Sequence, residues 1–227
     1  IPYNPYEFRR LYGLIPIKYG YRKTVQFLTL EECKSFNEAL EDMSNDLSLK
    51  QRAIGEILFH TAMRSCDIAN LQLDSVDLQR QIINFTQIKT GKELTLPLLP
   101  AVGNAIYDYC TMERPISDSS ILFLGDFAPH HKMTSQAVYY IVSKIMKRAE
   151  IRQKPGDRQG AHIFRHHAAT TMLENNVPVP VISATLGHQS PKSLDSYLAA
   201  NIPHLHECAL SIDEYPVSEE VFNFDGV

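Results

Sequence analysis

Two short β-rich runs interrupt a chain whose other patterned segments are helical, and they limit its fold more than any other feature. The runs, Gln81–Ile88 and Glu93–Leu98, are separated by the residues K-T-G-K. Gly91 supplies the turn, so the pattern predicts a β-hairpin with Lys89 and Lys92 near its tip. The sequence therefore predicts an α+β domain that is mainly α with a small antiparallel β-sheet.

The patterned segments on either side of the hairpin are helical. Thr29 and Glu32 belong to the capping-box pattern T-L-E-E and open a helix that is predicted to end near residue 43. Apolar residues recur at helical spacing over 50–63 and 134–149, which indicates a buried helix and an amphipathic helix. The remaining predictions are a short helix through Ile68 and Leu71, helices over 101–112, 162–175, 179–186 and 191–200, and a short strand over Ile121–Leu124.

The net charge of the chain is negative, and the acidic residues are unevenly distributed along it. A net charge of −4 argues mildly against a nucleic-acid-binding protein, because such proteins are usually basic. Six of the 26 acidic residues lie in residues 207–227, which contain no Lys or Arg, so the rest of the chain, with all 22 basic residues, has a net charge of +2. A near-neutral body with an acidic tail is compatible with a local cationic groove.

The cysteines and the apolar runs indicate the compartment. The four cysteines are far apart and form no C-x-x-C pair, which favours reduced thiols in a cytoplasmic protein without a zinc site or a disulfide framework. No apolar run is long enough for a transmembrane helix. The first residues, IPYNPYEFRR, lack an initiator Met and a signal-peptide pattern, so we expect the chain to start inside a longer protein.

The stretch over 161–200 is rich in groups that bind phosphate or transfer protons. His162 and Arg165 lie three residues apart at the start of a predicted helix, so their side chains share one face. A helix N-terminus attracts anions, an Arg binds two phosphate oxygens, and a His can move a proton. The pair therefore suits a phosphate clamp. Taken alone, so short a motif is more often a helix-capping His and a surface Arg.

Four further residues have simple interpretations when they are taken singly. Arg64 follows the buried helix and would be a surface Arg, and Lys89 would be a solvated turn residue. His188 follows a Gly that is expected to end a helix, so it would be a loop His. Tyr197 stands beside apolar helix positions and would be half-buried.

In their order along the chain, however, these residues resemble the tyrosine recombinase (integrase) family, whose chemistry is related to that of type IB topoisomerases. The matching stretches are TAMRSCDIANLQLDSVDL, QIKTGKELTLPL, HIFRHHAATTML and LGHQSPKSLDSYL. Five elements occur in the family's order, namely Arg64, Lys89, H-x-x-R, L-G-H and Tyr197. Together they are far more specific than any one motif. The resemblance covers roughly residues 29–200 and implies the fold of a tyrosine recombinase catalytic domain.

The resemblance divides the chain into three parts. Residues 1–27 are expected to be a linker or N-terminal arm, and residues 28–200 the catalytic domain with the nucleophilic Tyr near its end. Residues 201–227 are expected to be a C-terminal segment with an acidic tail, packed on its own domain or on a neighbouring protomer. The family's N-terminal core-binding domain, which clamps DNA, is expected to be absent from this chain.

The resemblance implies a role for each residue that binds the phosphate. Arg64 and Arg165 resemble the two arginines that clamp the scissile phosphate, and His188 resembles the second His (or Trp) that hydrogen-bonds it. Asp67 stands three residues after Arg64, where the family often has Glu. We expect its carboxylate to support the guanidinium of Arg64.

The residues for proton transfer and attack follow from the same resemblance. Lys89 resembles the hairpin lysine that protonates the leaving 5′-oxygen, with Lys92 as the rival for this role. Lys89 is preferred because the family's lysine precedes the turn Gly. His162 resembles the histidine that assists proton transfer at the nucleophile, and Tyr197 resembles the nucleophile itself.

The nine histidines also raise the alternative of a metallohydrolase. His162 and His166 are spaced at i, i+4, and the run over 204–208 reads H-x-H-x-C, but the chain has no H-E-x-x-H motif. His166 stands where the family commonly has His, and His167 beside it is extra. We expect both to be supporting or packing residues.

The resemblance implies a site-specific DNA recombinase that cuts and rejoins DNA through a 3′-phosphotyrosyl intermediate, most simply the integrase of a mobile element. The implied partners are double-stranded DNA and further copies of the chain, as a tetramer on two DNA sites. No membrane, metal or small-molecule cofactor is implied. The alternatives are a Xer-like resolvase of chromosome or plasmid dimers and a non-catalytic DNA-binding relative.

Overall fold

The computed structural model describes residues 26–188. The predicted helix over 191–200, which contains Tyr197, lies outside the described residues. So do the segment over 201–227 and all but two residues of the predicted arm over 1–27. No helix of the described part is both long and apolar enough to cross a membrane.

Helices dominate the described part, and one small sheet interrupts them. The helices are α1 Leu30–Glu41, α2 Leu49–Thr61, α3 Ser65–Ala69, α4 Pro100–Asp108, α5 Ser135–Arg148, α6 Ala161–Glu174 and α7 Val179–Thr185. The strands are β1 Val76–Asp77, β2 Ile82–Thr86 and β3 Glu93–Pro97. The predicted class, mainly α with a small antiparallel sheet, is confirmed.

Side-chain caps determine where the first helices begin. The Thr29 hydroxyl accepts a hydrogen bond from the Glu32 N–H (3.2 Å), and the Glu32 carboxylate accepts one from the Thr29 N–H (2.8 Å). Two N–H groups that the helix itself leaves unpaired are thereby satisfied. The predicted capping box is therefore confirmed, and Ser48 and Gln51 form a second one at the start of α2.

The hairpin is also as predicted. β2 pairs with β3 in antiparallel fashion, with Ile83 opposite Leu96, and β1 adds to the other side of β2. Gly91 lies in the loop with a φ of +65°, a conformation that glycine adopts at no steric cost. The hairpin loop carries Lys89, which is exposed.

The helix predicted over 101–112 is α-helical only as far as Asp108. It continues as one π-helical turn over Tyr109–Glu113, in which the Arg114 N–H donates to the Tyr109 carbonyl at 2.7 Å. The buried Tyr109 hydroxyl accepts the Leu124 N–H at 3.3 Å. Tertiary contacts of one side chain thus accompany the change in helical pitch.

The strand predicted over Ile121–Leu124 was wrong. These residues form only isolated bridges, from Ile121 to Gln72 and from Leu124 to Lys132. Their carbonyls are used by a side chain instead of a neighbouring strand, because the Arg114 guanidinium donates to Ile121 O (2.8 Å) and Leu122 O (3.1 Å).

Two clusters of buried apolar side chains stabilise the fold. The larger one joins helices α1 to α6 and the sheet, and in it the Phe36 ring packs 4.6 Å from the Phe164 ring. The smaller one joins the end of α2 to α6 and α7 through Ala62, Ala169, Leu173, Ile182 and Leu186. Since Ala62 and Leu186 each lie within two residues of a predicted site residue, this smaller cluster determines how far apart those residues stand.

Candidate active site

A cleft of about 620 Å³ brings together three of the predicted site residues. Arg64, Lys89 and His162 line it, and they come from the α2–α3 junction, the hairpin loop and the start of α6. The N-terminal part of α5 contributes Ser135, Gln136 and Tyr139 to the lining. Residues separated by about a hundred positions in the chain therefore face one another across a single opening.

Arg64 owes its position to the way α2 ends. Ala62 follows the last residue of α2 with a left-handed φ of 51°, which turns the chain sharply before Arg64 becomes the N-cap of α3. The Arg64 side chain is only 12% exposed. One terminal nitrogen donates to Gly187 O at 3.4 Å, and the other lies 3.9 Å from the Asp67 carboxylate. The interpretation of Arg64 as an ordinary surface residue is therefore wrong.

Asp67 links Arg64 to the hairpin. Its carboxylate is fully buried, and besides its ion pair with Arg64 it accepts the Ile88 N–H at 2.8 Å. Ile88 directly precedes Lys89. The expected support of Arg64 by Asp67 is present, and the same carboxylate also holds the base of the loop that carries Lys89.

Helix α6 begins in close contact with α5. Its N-cap is Gly160, with a φ of +90°, and a Cβ at this position would lie 2.6 Å from the Tyr139 ring. Glycine therefore allows the start of α6 to approach the cleft wall. His162 is not the cap, so the capping interpretation of His162 is wrong.

Arg165 is buried, which contradicts its interpretation as a surface residue. Its guanidinium donates to Leu186 O and to Ala62 O, the second at 3.4 Å. These two carbonyls belong to the segments that carry His188 and Arg64. Arg165 therefore ties the two halves of the predicted phosphate site together.

Three successive backbone carbonyls after α7 accept hydrogen bonds from basic side chains of the site. Leu186 O accepts from Arg165, Gly187 O from Arg64, and His188 O from Lys92 at 2.7 Å. Carbonyls at a helix C-terminus have no intrahelical partners and attract positive charge. We call residues 186–188 the carbonyl segment.

The two lysines of the hairpin differ in their surroundings. Lys92 bonds to the carbonyl segment, whereas Lys89 lines the cleft, and no hydrogen bond from its ammonium group is found among the described residues. This arrangement supports the choice of Lys89 as the lysine that faces a substrate.

The histidines of the site have lowered pKa values. Burial and, after it, the charges of Arg165 and Arg64 lower the pKa of His188 to about 4. Burial is also the first cause of the lowered pKa of His162, followed by the charges of Arg165 and Arg158. Both imidazoles are therefore neutral near pH 7 in the free protein, so each can accept a proton or donate one N–H.

The two remaining histidines of α6 have different surroundings. His167 lies between Leu28 O (2.9 Å from Nδ1) and the Cys33 thiol (3.3 Å from Nε2), so it joins α6 to the start of α1. His166 contacts Arg158 at 3.5 Å, and burial with that charge lowers its pKa to about 4. The expected packing role is confirmed for His167. Over residues 26–188, no group of three His, Cys, Asp or Glu side chains could hold a metal ion.

Five of the six predicted site residues thus surround one cleft and the carbonyl segment beside it. The sixth, Tyr197, lies outside the described residues. Sequence reasoning missed the carbonyl segment and the buried Gln87, which contacts it. A backbone acceptor leaves no residue-type signal, and a single Gln in a strand pattern looks like an ordinary solvent-facing position.

Comparison with known proteins agrees with this arrangement. The model of the Phage integrase family matches residues 26–204. The chain is 34% identical over 170 residues to y4gC of Sinorhizobium fredii (strain NBRC 101917 / NGR234), named as an integrase/recombinase, covering 75% of this chain and 86% of that protein. It is 26% identical over 181 residues to the tyrosine recombinase XerA of Pyrococcus furiosus, covering 79% of this chain and 59% of XerA.

Solved structures share the fold. A crystal structure of XerA recombinase superposes with a TM-score of 0.66 at 25% identity, covering 86% of this chain and 65% of that one. XerH in a post-cleavage complex with difH DNA gives a TM-score of 0.68 at 23% identity, covering 84% and 54%. The chain therefore spans little more than half of several relatives. With the family model matching most of its length and a relative at 34% identity, this chain belongs to the phage integrase family of tyrosine recombinases.

Proposed function

We propose that the chain is the catalytic part of a site-specific DNA recombinase that cuts and rejoins DNA through a 3′-phosphotyrosyl intermediate. One observation carries the proposal. Arg64 and Arg165 both donate to the carbonyl segment, beside a cleft that Lys89 and His162 line. Two guanidiniums held next to two proton-transfer groups suit a phosphodiester, because guanidiniums bind phosphate oxygens and the other two groups can move the protons of the reaction.

The guanidiniums would act on the charge of the phosphate. A phosphodiester resists attack because its anion repels nucleophiles and its alkoxide is a poor leaving group. Arg64 and Arg165, together with an N–H of the neutral His188, would stabilise the charge that builds on the non-bridging oxygens. Arg165 is already oriented by two carbonyls, so it needs little reorganisation when the phosphate binds. Arg64 has one long hydrogen bond and keeps a donor available for the phosphate.

Proton transfer would be divided between two residues. The Tyr197 oxygen would attack phosphorus while its proton passes towards His162, whose lowered pKa keeps it neutral and able to accept. Lys89 would donate a proton to the 5′-oxygen as the P–O bond breaks. The products are a 3′-phosphotyrosine and a 5′-hydroxyl. A second DNA 5′-hydroxyl can then attack the phosphotyrosine, because the covalent bond retains the energy of the bond that was cut.

We further propose an integrase of a mobile element as the biological role. The y4gC relative, at 34% identity, favours this role. A resolvase of chromosome or plasmid dimers is the second candidate, and it is favoured by the XerA and XerH likenesses. A non-catalytic relative is disfavoured because none of the five described site residues has been replaced. Sequencing the DNA ends that the protein joins in cells distinguishes integration from dimer resolution.

The proposed partners are double-stranded DNA and further copies of the chain. A lambda integrase dimer bound to a COC′ core site and the XerH complex with difH are structural neighbours that hold DNA. By analogy, we propose a tetramer on two DNA sites in the cytoplasm. The mass of the complex formed with two copies of the cognate site tests this stoichiometry.

A suicide DNA substrate carrying the cognate site tests the chemistry. The protein should form a covalent adduct with the 3′ end of the cut strand, and Tyr197→Phe should abolish it because the nucleophilic oxygen is lost. Tyr107→Phe is the matched control, since it removes an exposed phenol that does not line the cleft. An undiminished yield of adduct with Tyr197→Phe would refute the assignment of Tyr197 as the nucleophile.

A further inference from the structure

Gln87 is the polar residue that connects the hairpin to the carbonyl segment from inside the protein. It follows β2 and is 2% exposed. Its backbone closes the loop, because its N–H donates to Lys92 O and its carbonyl accepts the Gly91 N–H, both at 2.8 Å. Its side chain also reaches beyond the hairpin, where Nε2 donates to Leu186 O at 3.3 Å.

The other end of the same amide holds the loop. The Thr90 hydroxyl donates to Gln87 Oε1 at 2.6 Å. Thr90 directly follows Lys89, and Ile88 before it is held by Asp67. Lys89 therefore stands between two fixed neighbours, while its own side chain remains exposed.

Gly187 is shaped to receive the amide. A Cβ on Gly187 would lie 2.5 Å from Gln87 Cδ, and its φ of +60° also favours glycine. The amide therefore lies flat against the backbone of the carbonyl segment. Leu186 O accepts from both Gln87 and Arg165, so one carbonyl positions a hairpin residue and a phosphate-binding residue at once.

Lys92 makes a second connection between the same two segments. Its ammonium group donates to His188 O at 2.7 Å. The loop that carries Lys89 is thus fastened to residues 186–188 from the buried side by Gln87 and from the exposed side by Lys92.

We propose that Gln87 and Lys92 are positioning residues that hold the Lys89 loop on the carbonyl segment, so that the general acid is placed in register with the phosphate-binding groups. This inference rests on the proposed role of Lys89 as the acid. Misplacement of a reacting group by about 1 Å can cost on the order of 100-fold in rate. Neither residue needs to touch the DNA.

The test uses two suicide substrates that differ in one atom. In one, the leaving group is the natural 5′-oxygen, and in the other it is sulfur in a 5′-bridging phosphorothiolate, which leaves as a thiolate without a proton. Lys89→Ala is the reference and should be slow on oxygen and near wild type on sulfur. Gln87→Leu should slow cleavage of the oxygen substrate about 10- to 100-fold, with sulfur restoring it to within about threefold of wild type.

Two more variants complete the experiment. Lys92 is exposed, so Lys92→Met tests the inference without disturbing the core. This variant should show a smaller loss of rate on the oxygen substrate, and the sulfur substrate should restore the rate in the same way. Asn84→Leu makes the same amide-to-Leu change on the exposed face of β2 and should leave both rates unchanged.

Each other outcome overturns a defined part of the inference. If Lys89→Ala is rescued and Gln87→Leu is equally slow on both substrates, Gln87 has only a structural role and the positioning inference fails. Unchanged rates in both Gln87→Leu and Lys92→Met also overturn it. If Lys89→Ala is not rescued, the proposed acid is wrong, and a larger, rescued loss in Lys92→Met assigns that role to Lys92.

Discussion

Two arginines of similar burial, Arg152 and Arg64, are used in opposite ways. Their side chains are 14% and 12% exposed. Arg152 donates from every guanidinium nitrogen: two hydrogen bonds of 2.6 and 3.0 Å reach the Glu32 carboxylate, one of 2.6 Å reaches Phe27 O, and one of 3.2 Å reaches the Gln26 amide. This arginine fastens residues 26–32 to the loop before α6.

Arg64 is held much more loosely. It has one hydrogen bond of 3.4 Å, and its NH1 group is buried without a hydrogen-bond partner in the described part of the chain. NH1 has only the 3.9 Å ion pair with Asp67. A buried donor without a hydrogen bond costs about 1–3 kcal/mol, so such an arrangement is expected where a donor serves a ligand rather than the fold. In this pair of arginines, the number of donors used, and not burial, separates the cation that stabilises the fold from the cation of the candidate site.

The same substitution in both regions should therefore have opposite effects, and the larger one is at the site. Arg64→Lys keeps a positive charge beside Asp67 but loses the planar fork that binds two phosphate oxygens. We expect adduct formation on the suicide substrate to slow by about 10²- to 10³-fold. The free energy of unfolding in urea should change by less than about 1 kcal/mol, because only one long hydrogen bond is lost.

Arg152→Lys should reverse this pattern. The Arg152 guanidinium makes four hydrogen bonds from three nitrogens, whereas lysine has a single nitrogen and cannot reproduce them. The free energy of unfolding should therefore fall by about 1–3 kcal/mol. The rate of adduct formation per folded molecule should stay within about twofold of wild type, because no site residue is displaced. A stable but inactive Arg152→Lys variant would show that donor use does not separate the two regions.

The smallest expected effect is on the free energy of unfolding at acidic pH. The pKa values of His166 and His188 are lowered to about 4, whereas an unfolded His titrates near about 6.5. Between these values the unfolded chain binds protons that the folded chain does not, so the free energy of unfolding should fall as the pH falls through this window.

Urea unfolding at several pH values measures this loss. A His166→Gln/His188→Gln double variant should lose about 1–2 kcal/mol less stability than wild type between pH 7 and 4.5, allowing for solvent screening. The single variant His131→Gln, at an exposed position, is the control. Parallel curves for wild type and the double variant would contradict the lowered pKa values.

Local chemistry made much of the fold predictable. The hairpin depends on Gly91 and the first helix on Thr29 and Glu32, and each acts on its immediate neighbours. The prediction over Ile121–Leu124 failed because the Arg114 side chain, from the preceding loop, takes carbonyls that a strand would offer. Such competition by a side chain leaves no periodic signal.

The site could be predicted only in part, for a similar reason. Arg64, Lys89 and His162 could be assigned from their order in the family pattern, although each taken singly had a simpler interpretation. The interactions that hold them could not be predicted. Gln87 looks like a strand residue, and the acceptors for both arginines are backbone atoms that every residue type possesses.

The carbonyl segment also has a consequence for genetics. Any L-amino acid at position 186 presents the same acceptor, so saturation mutagenesis would score Leu186 as a core residue and miss the two hydrogen bonds that it receives. A comparison of natural variants would miss these hydrogen bonds as well, because the residue type at such a position can change while the backbone acceptor stays the same. Only a change of the backbone itself, such as an ester in place of the 186–187 peptide bond, makes this part of the site visible.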